Sequence, residues 1–147
     1  MIKTRYSKIL VAIDGSKESI NAARYAIGLA KKDNAHIIAL TAMHLPSLYG
    51  WSPVESPYTW QKKYARERKK WFEEIEKLAR RNNVKIRTEI VESTMSAQGT
   101  IVRYAKEHNV DAIVVGTRGT SGFAKQLLGS TALGVVTYAH CTVIVVK

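Results

Sequence analysis

The sequence predicts an α/β fold: one doubly wound, Rossmann-like domain over residues 1–147, with a five-stranded parallel sheet and helices on both faces. Three observations carry this. Short β-branched runs alternate with longer amphipathic stretches, with no internal repeat, which is the pattern of a parallel sheet covered by helices. Two runs, Ile9–Ile13 and Ala112–Val115, are apolar throughout, as strands buried on both faces are. The third is a glycine-rich stretch, Val115 to Ala132 (VGTRGTSGFAKQLLGSTA), lying between one of those strands and a helical pattern.

Taken in order, Ser7–Ile13 reads as the first strand. Asp14-Gly15-Ser16 follows, and Ile20, Ala23, Ile27 and Ala30 then recur at helical spacing, with Ser16 or Asp14 as the cap. Asp33-Asn34 makes a turn into a second strand, Ala35–Met43. His44–Pro57 holds all three prolines with Gly50 and Trp51, and is expected to be irregular, a candidate flap. Tyr58–Asn82 reads as one long helix, apolar along Tyr64, Trp71, Phe72, Ile75, Leu78 and Ala79. Val84–Glu92 is expected as a third strand at the sheet edge. Gln98–His108 carries Ile101, Tyr104 and Ala105 on one helical face and stops at Asn109. A fourth strand (Asp111–Gly116), the glycine loop, a helix from Ser130 to His140 and a last strand (Thr142–Val146) complete the chain.

Composition narrows the class. A chain of 147 residues, 46% apolar and 24% charged, is a globular domain large enough for a core. No apolar run approaches a membrane span, and MIKTRYSK lacks the apolar segment of a signal peptide. The single cysteine, Cys141, cannot form an intrachain disulfide and is read as a packing residue, which suits a reducing, cytoplasmic setting. The net charge of +11 points to nucleic acid, an anionic surface or solubility. From Lys62 to Arg87 eleven cations face four glutamates, with Trp60 and Tyr64 interleaved. A solvated helix face is the commoner meaning of such a run; a nucleic-acid surface is the alternative.

The glycine loop carries the chemistry. A strand, a flexible glycine turn and a helix N-terminus bring free N–H groups and the positive end of the helix dipole to one place, which suits an anion. Ser130 and Thr131 are hydroxyls that suit the N-cap. The spacing is neither a P-loop, which needs Gly-Lys-Ser/Thr, nor a dinucleotide G-x-G-x-x-G. It is Gly116-x2-Gly119-x9-Gly129-Ser130-Thr131. A plain connection is the competing reading, but the loop is long for one.

That pattern, with Ile9–Ser16 at the front and Val143–Val146 at the back, resembles the ATP-binding branch of the universal stress protein family over essentially the whole chain. The resemblance implies strand order 3-2-1-4-5, which would open the Asp14 turn and the Gly116 loop onto one crevice. It implies binding of ATP, with any Mg²⁺ arriving on the phosphates, at Ala12, Ile13, Asp14, Ala42, Val115, Gly116, Arg118, Gly119, Gly129, Ser130 and Thr131. At about 4 Å and an effective dielectric near 20 a carboxylate beside a phosphate costs about 4 kcal/mol, so Asp14 would meet the sugar hydroxyls or adenine end or hold a cation; the resemblance implies the nucleoside side. Ala42 would pair adenine through its backbone, Met43 being either wall or core. Gly116 and Gly119 would wrap the ribose and phosphates, and Gly129 to Thr131 would hold phosphate oxygens. Arg118 and Lys125 either assist or are solvated.

The resemblance further implies a nucleotide-dependent regulatory role in stress responses and a homodimer through Thr142–Val146. That segment would otherwise be an uncovered apolar edge. Three stretches depart from the family's pattern: Thr41-Ala42-Met43, Met95-Ser96-Ala97 and Thr142. His36, His44, His108 and His140 are scattered with no metal spacing, and no catalytic grouping is visible, so at most slow ATP hydrolysis is expected. An ATP-using ligase or pyrophosphatase of related architecture would need Ser-Gly-Gly-x-Asp-Ser after the first strand, where Asp14-Gly15-Ser16 stands.

Overall fold

The computed structural model describes residues 5–44, 57–117 and 128–147, and for 57–63 the backbone alone. Its elements are β1 (Lys8–Ala12), α1 (Lys17–Asp33), β2 (His36–His44), α2 (Pro57–Arg81), β3 (Ile86–Ser93), α3 (Ala97–Glu107), β4 (Ala112–Gly116), α4 (Ser130–Tyr138) and β5 (Thr142–Val146). The strands form one sheet in the order β3-β2-β1-β4-β5. Every neighbouring pair is parallel. The predicted fold class and order are both present. The predicted flap and most of the glycine loop, with Arg118, Gly119 and Lys125, lie outside the described residues.

Alternation along each strand divides the core in two. Ile9, Val11 and Ile13 face one layer with Ala23, Ile27, Phe72 and Ile75 of α1 and α2. Leu10 faces the other, with Ile101, Tyr104 and Val135 of α3 and α4. Ile9, Leu10 and Val11 are wholly buried, each worth roughly 1.5–3 kcal/mol of transfer free energy. Consecutive residues can all be apolar here because both faces of the central strand are covered.

Asparagine follows three of the helices, α1, α2 and α3. Asn34, Asn83 and Asn109 all take left-handed backbone with φ near 55°, a conformation that asparagine tolerates better than most residues. The predicted stop at Asn109 and turn at Asn34 therefore have a conformational cause. Carboxylates fix the start of β1: Asp33 accepts from the Tyr6 amide, and Asp111 accepts from those of Ser7 and Lys8.

Two residues depart from expectation. Tyr64 is 37% exposed rather than on the apolar stripe. Arg68, counted with the solvated cations, is 7% exposed, and it donates from Nη1 to Met43 Sδ at 2.8 Å. The helix rotates Arg68 onto the same face as Phe72, four residues on, so its position relative to the core outweighed its charge.

Candidate functional site at the strand ends

β2 and β4 flank β1 on opposite sides, so the chain leaves the top of the sheet in opposite directions next to β1. A doubly wound sheet opens a crevice at that place, beyond the carboxyl ends of the strands. Here it is a cleft of about 230 Å³. Nine of the eleven residues expected at a site line it: Ala12, Ile13, Asp14, Ala42, Val115, Gly116, Gly129, Ser130 and Thr131. The other two, Arg118 and Gly119, are outside the described residues.

Each wall has a local cause. Ile13 N donates to Leu40 O at 2.8 Å, and Thr41 Oγ1 donates to Ile13 O at 2.9 Å. These bonds join the ends of β1 and β2. Beyond them the Asp14 carboxylate closes a turn, Oδ1 accepting from the amide (2.9 Å) and hydroxyl of Ser16. Ser16 is then the N-cap of α1, its Oγ accepting from the Ser19 amide at 3.1 Å. The two candidate caps thus have separate roles. Ser16 caps the helix, and Asp14 shapes the turn that presents it while also lining the cleft.

Gly116 ends β4 where α1 begins. A Cβ there would lie 2.8 Å from the carbonyl carbon of Glu18, so the two backbones approach as only glycine permits. On the far side of the gap, Gly129 N donates to Thr117 O at 2.7 Å and draws the loop's two ends together.

The start of α4 corrects the expected cap. Gly129 is the N-cap, extended at φ −68° and ψ 164°, and among the described residues no side chain caps the helix. Ser130 and Thr131 occupy the first helical turn instead, because the extended residue that precedes the turn is the glycine. Gly129 has no side-chain oxygen to offer, so the first turn of α4, whose residues line the cleft, has no side-chain acceptor from the cap for its amides.

Five further residues shape the cleft: Ser19, Leu40, Ala97, Ile101 and Ala132. Two were legible by spacing, since Leu40 shares a strand face with Ala42 and Ile101 lies one turn beyond Ala97. Met43 is buried but does not line the cleft, which favours its reading as core. Among the described lining residues Asp14 is the one acidic residue, and none is lysine, arginine or histidine. Among the described residues no group of three or more His, Cys, Asp or Glu could hold a metal, and no helix is long and apolar enough to cross a membrane.

Comparison with known proteins places this architecture. The sequence model of the universal stress protein family matches residues 5–147. The chain is 35% identical over 143 residues to a universal stress protein of Methanocaldococcus jannaschii, covering 97% of this chain and 82% of that one. Its structure resembles a universal stress protein from Lactobacillus plantarum with a TM-score of 0.87 and 28% identity, over 99% of this chain and 100% of that one. It also resembles a universal stress protein solved in complex with cAMP, with a TM-score of 0.70 and 25% identity over 98% of each chain. The chain belongs to the universal stress protein family.

Proposed function

We propose that the chain binds an adenine nucleotide, ATP in the first place, in the cleft between β1 and β4, and that occupancy governs its associations in a stress response. The observation that carries the reading is the uncapped N-terminus of α4, set across a cleft from a carboxylate turn. The two ends of the cleft differ in a way that orients a nucleotide. Gly129 to Thr131 offer N–H groups and the helix dipole to phosphate oxygens. Asp14 would repel phosphate and accept from sugar hydroxyls. Ala12, Leu40, Ala42 and Ile101 supply an apolar slot for the base.

Magnitudes decide which contacts matter. A helix terminus contributes about 0.3–1 kcal/mol toward a charge, whereas micromolar affinity needs about 8 kcal/mol. Burial of the base and several amide contacts must supply the difference. The cleft is smaller than the roughly 300–1,000 Å³ usual for ligand pockets, which suits a base and sugar inside with phosphates over the rim. Mg²⁺ would then ride on the phosphates and keep most of its waters. The family relative solved with cAMP supports an adenine ligand.

In the same reading two copies associate through β5. The strand forms one edge of the sheet, and Leu133, Val136 and Tyr138 on neighbouring α4 are 55%, 46% and 73% exposed. Covering that apolar surface and edge together favours a homodimer.

The experiment is mass spectrometry of whatever freshly purified protein releases on denaturation, followed by Mg-ATP titration calorimetry. ATP near one per chain, or micromolar uptake, is expected. A protein that is empty and takes up no Mg-ATP, AMP or cAMP disproves the reading.

A further inference from the structure

The turn that carries Asp14 to the cleft is packed by a residue that does not line the cleft. Gly15, between Asp14 and Ser16, has φ +84°, a left-handed conformation. A Cβ placed there would overlap the six-membered ring of Trp71, with Cζ2, Cε2 and Cη2 its nearest atoms. The indole therefore occupies the space where a side chain at position 15 would stand, and it packs partly buried against the α1–α2 side of the core. Asp14, on the same turn, faces the cleft, whose apolar slot is built with Ile101 of α3 on the other face of the sheet. The Asp14–Ser16 turn is thus held between an aromatic ring and the binding cleft.

Such a turn needs an external support. Glycine at positive φ gives the path but has the largest conformational freedom to lose, and it has no side chain with which to anchor itself. The hydrogen bonds from Ser16 to Asp14 close the turn, and the Asp14 amide, donating to Ser19 Oγ at 3.4 Å, together with the Ser16 cap ties it to α1. Trp71 adds a packing contact from α2. It is the half-buried neighbour of Phe72, which is 8% exposed, on a helix whose other faces are charged.

We propose that Trp71 is a positioning residue for nucleotide binding: by packing on Gly15 it preorganises the Asp14–Ser16 turn, and with it the carboxylate that selects the sugar end of the ligand. This rests on the nucleotide reading of the cleft. Its energetic basis is that a binding loop already ordered does not subtract its ordering cost from affinity.

The test compares Trp71→Ala and Trp71→Phe with Ile75→Ala, which cuts the same α1–α2 layer one turn along without reaching the turn. Two quantities are read: Mg-ATP affinity, and amide exchange at Ser16 and Ser19 in the ligand-free protein. Trp71→Ala is expected to weaken binding about tenfold and to speed exchange at both amides by a similar factor. Trp71→Phe should restore both to within about threefold of wild type. Ile75→Ala should lower the unfolding midpoint and leave both near wild type. Equal losses in Trp71→Ala and Ile75→Ala, or unchanged exchange in Trp71→Ala, overturn the proposal. If Trp71→Ala does not fold, Trp71→Leu takes its place, with the same outcomes read. A wild-type protein that binds no nucleotide removes the ligand reading alone, and the exchange comparison still decides whether Trp71 orders the turn.

Discussion

Thr41 donates its hydroxyl to the carbonyl oxygen of Ile13 at 2.9 Å, both residues buried, one residue before the turn that presents Asp14. The strand pairing of β1 with β2 ends at Ala12–Leu40. This side-chain bond therefore extends the tie between the strands to the edge of the cleft. Replacing Thr41 by Val keeps the shape and leaves a buried carbonyl without that donor, an expected loss of about 1–3 kcal/mol. Urea unfolding measures it, and nucleotide affinity should fall with it because the cleft edge loosens.

Gly116→Ala should be costly for another reason. The added methyl meets backbone atoms of Glu18 at 2.8–2.9 Å, and backbone in the first turn of a helix cannot rotate aside. Overpacking of this kind costs typically 1–3 kcal/mol. Thermal unfolding of Gly116→Ala beside Gly28→Ala, at a position with open space around it, separates the clash from loss of glycine itself.

Gly129→Val and Ser130→Glu should abolish nucleotide binding while the protein stays folded. Gly129 has an ordinary φ of −68°, so valine is sterically accessible, and glutamate in a first helical turn is favourable toward the dipole. Both put bulk or negative charge where phosphate oxygens are expected. Far-UV circular dichroism should be unchanged and calorimetry silent. Retained binding in both would remove the phosphates from α4.

Arg68 is the place to look for stability. Among the described residues its Nε is buried without a hydrogen-bond partner, and it carries a charge whose desolvation is poorly repaid by a thioether. Arg68→Met should leave stability unchanged or raise it, in line with the neutral-to-stabilising outcome of replacing buried ions by apolar groups. Lys69→Met, on the exposed side of the same helix, is the control.

Burial and then the nearby Asp111 carboxylate push the Cys141 thiol above its ordinary 9.0. The folded state therefore holds the proton more tightly than the unfolded chain. The resulting stability is present below the ordinary thiol range and is lost as pH rises through it, by linkage. Wild type should lose stability relative to Cys141→Ala as pH rises above the ordinary thiol value of 9.0, and should alkylate slowly at neutral pH. Denaturant midpoints against pH measure the first effect and iodoacetamide labelling the second.

Periodicity and spacing made most of the fold legible. Ile9–Val11 announced a strand covered on both faces, and Ile20, Ala23, Ile27 and Ala30 announced the buried side of α1. Glycine spacing marked the loop after β4, where the close approach of Gly116 to Glu18 requires that residue. The strand order that brings the loop to the Asp14 turn was implied by the family resemblance. Three features were harder. The cap of α4 depends on which residue is extended, which a Gly-Ser-Thr run leaves open. Arg68 was hidden because a charge count does not include helix rotation. Trp71 was assigned correctly to the apolar stripe, yet its partner is a glycine 56 positions earlier, a contact set only when α2 docks.

The central place of β1 also has a consequence for synthesis. The first strand of the chain lies between β2 and β4, and its starting amides are held by Asp111, more than a hundred residues downstream. A nascent chain that has emerged only through α3 carries three strands, with one side of β1 still unpaired and half of the cleft not yet made. Long-range closure of this kind is slow and leaves strand edges exposed meanwhile. Residues 112–147 must therefore leave the ribosome before both walls of the cleft exist.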